Sequence, residues 1–160
     1  MMTDTILFVC TGNLCRSPMA AAFMNERLRR AGVRDFSASS AGTWALEGAP
    51  LAPHTRTVLA ERGLEVGDHQ AHNVTEEDMA AASLVLAMAR NHAEVLQLDF
   101  PAHADKVHLF SEFVGRRFDV PDPYGRSLAA YRQTADIIET VLEQGYERIM
   151  SYLAVQRDDP

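Results

Sequence analysis

An α/β fold, a parallel sheet with helices on both faces, is what this 160-residue chain predicts. Two observations carry it. Short apolar runs rich in β-branched residues alternate along the chain with stretches whose apolar residues recur every three or four positions. The first run also ends in a Gly-bearing turn that leads directly into a helix, the junction at which parallel α/β sheets bind ligands.

The elements follow in order. Thr5 to Val9 (Thr-Ile-Leu-Phe-Val) reads as a buried strand. In the turn after it, Gly12 and Asn13 tolerate unusual backbone angles, Ser17 can cap a helix and Pro18 suits a first helical position. Ala20, Phe23, Met24 and Leu28 mark a helix that Gly32 ends, and Phe36 to Ser40 is a second strand. A loop with Gly42, Gly48, Pro50 and Pro53 leads to a helix over His54 to Arg62, stopped by Gly63. Thr75 caps a short helix, Leu84 to Met88 is a third strand, Asn91 to Leu98 a helix, Lys106 to Leu109 a short strand and Phe110 to Gly115 a helical turn. Leu128, Tyr131, Ile138, Val141, Leu142 and Ile149 define one face of a long last helix, with Gln156 to Pro160 as a frayed tail.

Size and composition fit one domain over residues 1–160, enough chain to bury roughly two-thirds of its unfolded surface without disulfides or metals. The formal charge of −7 disfavours nucleic acid and anionic membranes as partners. No run is apolar for long enough to make a signal peptide or a membrane span, and the two cysteines, Cys10 and Cys15, lie in one loop. A cytoplasmic protein is expected. The six histidines show no metal-ligand spacing, so neither a metal nor another cofactor is expected.

The chemistry concentrates in Val9-Cys10-Thr11-Gly12-Asn13-Leu14-Cys15-Arg16-Ser17-Pro18. Backbone N–H groups of Thr11 to Arg16 converging at a helix N-terminus make a site for an anion. Five residues separate Cys10 from Arg16, enough for the loop to wrap a phosphate while the thiol faces phosphorus and the guanidinium grips two oxygens. A helix N-terminus, inward N–H groups and a nearby cation favour a thiolate, which needs no dedicated base to attack. Ser17 is placed to donate a hydrogen bond to that sulfur. Expulsion of the leaving oxygen then needs an acid on the far side of phosphorus. Asp122, in the loop Asp119-Val120-Pro121-Asp122-Pro123-Tyr124-Gly125, is the candidate, with Asp119 as the runner-up. An isolated Asp-Pro would merely start a turn.

Ten contiguous residues of this loop match V-C-x-G-N-x-C-R-S-P, and on them the chain resembles the low-molecular-weight protein tyrosine phosphatases. Ser39-Ser40-Ala41-Gly42-Thr43, Val74-Thr75-Glu76-Glu77-Asp78, Leu84-Val85-Leu86-Ala87-Met88 and Asp122-Pro123-Tyr124 extend the resemblance over almost the whole chain. It implies a three-layer αβα domain with a four-stranded parallel sheet in the order 2-1-3-4. It implies hydrolysis of phosphotyrosine through a phosphocysteine, with Asp122 as acid and then base, a phosphoprotein or small phosphoester as substrate, inorganic phosphate as product, and a monomer. It further implies that Asn13, Ser40 and His69 brace the loop, that Leu14, Trp44 and Tyr124 wall the substrate pocket, and that Cys15 forms a reversible disulfide with Cys10. From the residues alone, Trp44 could equally be core, Cys15 a small buried filler, and His69 a solvated loop residue.

Three rivals remain. Pro53-His54 and Asp122-Pro123-Tyr124-Gly125-Arg126-Ser127 resemble the bacterial branch that includes protein-arginine phosphatases. Those enzymes tend to carry a small polar residue where this chain has Leu14, whose apolar wall suits an aromatic ring. Thioredoxin-coupled arsenate reductases share the loop but need a downstream cysteine pair, and no cysteine follows Cys15. A phosphate-binding module without activity fits poorly with Cys10, Arg16, Ser17 and Asp122 together.

Overall fold

A computed structural model describes residues 3–158. Four strands, β1 (Asp4–Cys10), β2 (Phe36–Gly42), β3 (Ala82–Ala87) and β4 (Val107–Leu109), form one sheet in the order β2-β1-β3-β4. Every pairing is parallel, so each connection is a crossover that carries helices over the faces. The helices are α1 (Arg16–Arg30), α2 (Pro53–Glu61), α3 (Glu76–Ala81), α4 (Arg90–Asp99) and α5 (Leu128–Asp158), with 3-10 turns at Pro101–Lys106 and Phe110–Val114.

Alternation along the central strand builds the two layers. Ile6 and Phe8 of β1 join Leu84 and Leu86 of β3 beneath α1 and α5, where Met19, Met24, Ile138 and Ile149 are wholly buried. Leu7, Val9 and Val85 point the other way, against Met79 of α3 and Leu96 of α4. A strand buried on both sides has no polar position to spare, which is why β1 and β3 read as unbroken apolar runs. β2 and β4 are the edge strands, and in β2 Ser39 is exposed while Ser37 and Ser40 are half-buried.

Local signals explain the element ends. Gly32, at φ 71°, closes α1 as its N–H bonds the Arg29 carbonyl. Thr75 and Asp78 form a reciprocal capping box at α3, each side chain accepting the other's backbone N–H.

Several expected bounds are corrected, and β3 starts two residues earlier and ends one residue earlier than expected. β2 runs two residues beyond Ser40, because Ala41 and Gly42 pair with Val9 and Cys10. The 3-10 turn after α4 is an added element. The tail expected to fray from Gln156 is helical through Asp158, because Arg157 binds Asp4 Oδ2 at 2.7 Å, pairs with Asp35 and stacks on the Phe36 ring. Asp159 and Pro160, the end of that tail, lie outside the described residues.

Phe8 is fully buried at the centre of the sheet and meets the Phe110 ring edge-on, with centroids 5.6 Å apart. Phe8→Ala is expected to lower the unfolding free energy by about 3–5 kcal/mol, measured by urea denaturation.

Candidate active site

Cys10 is the last residue of β1 and is 2% exposed. The carbonyls around it turn into neighbouring backbone: Val9 accepts from Met88 N (2.9 Å), Cys10 from Thr43 N (2.9 Å) and Thr11 from Trp44 N (3.0 Å). With these acceptors tied outward, the loop is free to turn its N–H groups inward. Gly42 permits this approach, since a Cβ there would lie 2.4 Å from the Thr11 carbonyl oxygen.

α1 begins earlier than the sequence suggested. Arg16 is its first residue and Cys15 its cap, so Ser17 and Pro18 fall second and third. Pro18 still belongs in a first turn, where its missing N–H costs nothing. The cap expected of Ser17 is not made; its hydroxyl lies 3.0 Å from Cys10 Sγ and 3.3 Å from the Ala41 carbonyl, and its N–H lies 3.4 Å from the same sulfur. Its single proton has two acceptors within reach, the sulfur and the Ala41 carbonyl. An ionised sulfur, nearer and charged, would take it.

Asn13 shapes the loop. It is fully buried at φ 58°, the one non-glycine residue with positive φ among the described residues. Its side-chain amide donates to Ser17 Oγ (3.0 Å) and Ser40 Oγ (2.9 Å), and its Oδ1 accepts His72 N–H (3.2 Å). Its carbonyl accepts from His69 Nε2 at 2.7 Å, which fixes the proton on that nitrogen. Burial keeps the His69 pKa below its ordinary value. Leu14's carbonyl is held by the buried Thr55 hydroxyl at 2.8 Å.

The chain returns to the site after β4. Val120 N–H bonds the Met88 carbonyl at 2.8 Å, and the buried Arg16 donates to the Val120 carbonyl at 3.1 Å. Arg16 Nη2 lies 3.5 Å from Asp122 Oδ2, while Asp122 Oδ1 accepts Tyr124 N–H at 3.1 Å. Asp122 stays half-exposed over the cleft. Asp119 is engaged elsewhere. It accepts the Arg90 backbone N–H at 2.9 Å and Arg90 Nε at 3.2 Å, and that backbone bond leads the effects holding its carboxyl below the ordinary value. It anchors the loop to the start of α4, facing away from the role of an acid.

A cleft of about 300 Å³ is lined by Cys10, Thr11, Gly12, Leu14, Cys15, Arg16, Trp44, Asp122 and Tyr124. Trp44, the residue left open between core and rim, is 84% exposed and lines the cleft, as does the exposed Tyr124. Asn73 fastens the Trp44 loop by bonding both backbone groups of Ala45. Cys15 is a buried free thiol whose Sγ–H points to Tyr131 Oη at 3.5 Å; burial raises its pKa. Ser40 and His69 reach the cleft only through Asn13.

Sequence reasoning passed over His92. Buried in the first turn of α4, it accepts Ala89 N–H at Nδ1 (3.1 Å) and reaches Thr11 Oγ1 with Nε2 (2.8 Å). Burial, reinforced by the Arg16 charge, pushes its pKa down to about 4. No spacing signal ties residues so far apart in the chain. His72 was also passed over, and it acts through its backbone. Among the described residues, no group of three His, Cys, Asp or Glu side chains could hold a metal, and no helix is long and apolar enough to cross a membrane.

A thiol at a strand end, wrapped by an anion-binding loop and faced by a carboxylate across a cleft, defines the class of cysteine-dependent phosphatases. Residues 5–154 match the family model described as low molecular weight phosphotyrosine protein phosphatase, and the chain belongs to that family. It is similar to a protein-arginine-phosphatase of Bacillus subtilis, 40% identical over 87% of this chain and 92% of the relative. A probable low molecular weight protein-tyrosine-phosphatase of Ralstonia nicotianae is 35% identical over 92% of this chain and 97% of the relative. The crystal structure of a low molecular weight protein tyrosine phosphatase from T. tengcongensis superposes with a TM-score of 0.86 at 42% identity, covering 91% of this chain and 99% of that one.

Because the folded pKa of His92 is depressed, the native state binds fewer protons there than the unfolded chain does. The stability that His92 contributes is complete above about pH 6.5 and is lost as pH falls towards 4. Urea denaturation of the wild type should show unfolding free energy falling across this window, and His92→Gln should reduce that slope.

Proposed function

We propose that the chain hydrolyses phosphotyrosine, with Cys10 as nucleophile and Asp122 as acid. Leu14 carries the choice of substrate. It brings an apolar wall to the cleft that Trp44 and Tyr124 also line, and a flat aromatic ring gains contact there without leaving polar groups unpaired. A guanidinium would lose hydration against the same wall. The name carried by the Bacillus subtilis relative favours phosphoarginine as a second reading.

The proposed reaction begins as the Cys10 thiolate attacks phosphorus in line with the leaving oxygen. The loop N–H groups of Thr11 to Arg16 and the Arg16 guanidinium hold the three equatorial oxygens, where charge gathers in the transition state. Asp122, protonated, delivers its proton to the departing tyrosyl oxygen, and the Arg16 contact keeps it over the cleft. In the second step Asp122 takes a proton from water as the water attacks the phosphocysteine, and phosphate leaves. Ser17, 3.0 Å from the sulfur, donates to the thiolate as it departs. Asn13, Ser40 and His69 hold the loop in shape. Cys15 serves as the thiol that condenses with a Cys10 sulfenic acid formed by peroxide, releasing water and keeping the nucleophile recoverable. The substrate is a phosphoprotein or small phosphoester, and the protein works as a cytoplasmic monomer.

Turnover of phosphotyrosine and phosphoarginine peptides is compared with Cys10→Ser as blank. Tyrosine preference is expected, and Leu14→Thr should shift the ratio of kcat/KM values towards phosphoarginine by about 10-fold. Arginine preference in the wild type would overturn the substrate assignment. Asp122→Asn should lower kcat by roughly 10²–10⁴ while phosphate still binds, and Asp119→Asn should do far less.

A further inference from the structure

His92 is a buried titratable side chain beside the cleft that this mechanism leaves without a task. It is 1% exposed and 81 residues from Thr11 in the chain, yet it contacts the residue that follows the nucleophile. Its two hydrogen bonds decide where its proton sits. Nδ1 receives the Ala89 N–H at 3.1 Å and must offer a lone pair, so the ring proton lies on Nε2. Thr11 Oγ1, 2.8 Å away, is therefore the acceptor.

A threonine that accepts from a fixed donor keeps its own proton to give. Among the described residues the Thr11 hydroxyl has no side-chain partner besides His92, and Thr11 lines the cleft beside Cys10, Arg16 and Asp122. The opposite tautomer would reverse this. Thr11 would then donate to the ring and present only lone pairs to an incoming phosphoryl group, which would repel it. The depressed pKa of His92 keeps the ring neutral, so the donating arrangement holds at neutral pH.

We propose that His92 is a positioning residue for phosphoryl binding: its Nε2–H donor commits the Thr11 hydroxyl as an extra hydrogen-bond donor to a phosphoryl oxygen of the group held over Cys10. The proposal rests on the reading of this cleft as the phosphoryl site. No proton is transferred, since His92 and Thr11 keep theirs throughout and only the direction of the hydrogen bonds is set.

A purely structural reading gives His92 the single task of capping α4 through Ala89. Two substitutions separate the readings. Asn can hold its oxygen near the Nδ1 position, keeping the cap while losing the reach to Thr11; Gln can bring an amide N–H to the Nε2 position, keeping the donor. Thr11→Val removes the hydroxyl at nearly constant shape.

Inorganic phosphate is titrated into the ¹⁵N-labelled wild type, His92→Asn, His92→Gln, Thr11→Val and the His92→Asn/Thr11→Val double variant. The His92 ring resonances are followed, and kcat and KM are measured in parallel with p-nitrophenyl phosphate. The wild type should show a protonated Nε2 and a bare Nδ1, and phosphate should move the Nε2–H signal. Thr11→Val, His92→Asn and the double variant should each weaken phosphate binding and lower kcat/KM by about 10-fold, with no further loss in the double, while His92→Gln retains most of both. A proton on Nδ1, full phosphate affinity in Thr11→Val, equal losses in the Asn and Gln variants, or losses that multiply in the double variant would each overturn the proposal. Should the wild type lack Cys10-dependent turnover, the catalytic reading falls, and the tautomer and phosphate affinities still decide this one.

Discussion

A residue other than glycine held at positive φ in a buried loop needs compensating bonds, and Asn13 receives them on its side chain and its carbonyl. Its amide N–H₂ reaches Ser17 and Ser40, its side-chain oxygen takes the His72 N–H, and its carbonyl takes the His69 proton. A left-handed backbone costs about 1–3 kcal/mol for such a residue, and these bonds outweigh it. The kink reverses the chain so that the loop can close over its own N–H groups. Without it, the strand end and the helix start would diverge, and Cys10, Arg16 and Ser17 would share no focus. The constraint also spreads outward. Through Ser40 it reaches β2, through His69 and His72 the long connection before α3, and through Ser17 the sulfur.

The far wall of the cleft depends on the sheet rather than on the loop. Met88, just past β3, is bonded at both ends, its N–H to Val9 and its carbonyl to Val120, and so carries register from the central strand to the segment holding Asp122. Arg16 completes the link by binding the Val120 carbonyl while standing 3.5 Å from Asp122. One guanidinium thus positions the carboxylate and faces the anion site. Asp119 pins the same segment to α4 through Arg90, so one aspartate of this loop anchors it while the other, Asp122, stays half-exposed over the cleft.

Much of this was legible in the chain because the signals are local. Buried parallel strands have no exposed face, so β1 and β3 stand out as apolar runs; the capping box at Thr75 and the glycine after α1 sit within a few residues of the ends they define. The run from Cys10 to Pro18 marked out the candidate site for the same reason. What stayed hidden depends on contacts between distant segments. Nothing in the sequence marks His92 as the partner of Thr11, or Asn73 as the clasp of the Trp44 loop, since neither pair shares an element or a period. Arg157 extends the last helix only because folding brings Asp4 and Asp35 beside it. Trp44 exemplifies the limit of composition: a lone tryptophan usually buries its area, and only the placement of its loop leaves it on the rim.

The central claim is that the sulfur at the end of β1 takes the phosphoryl group. Rapid acid quench of the enzyme during turnover of a phosphotyrosine peptide, followed by mass analysis of the protein's own fragments, tests it most directly. The account predicts one phosphoryl group on Cys10, absent from Cys15 and from the Cys10→Ala protein, and longer-lived when Asp122 is replaced by Asn. Steady turnover with no phosphoryl group on Cys10, or turnover undiminished in Cys10→Ala, would contradict it.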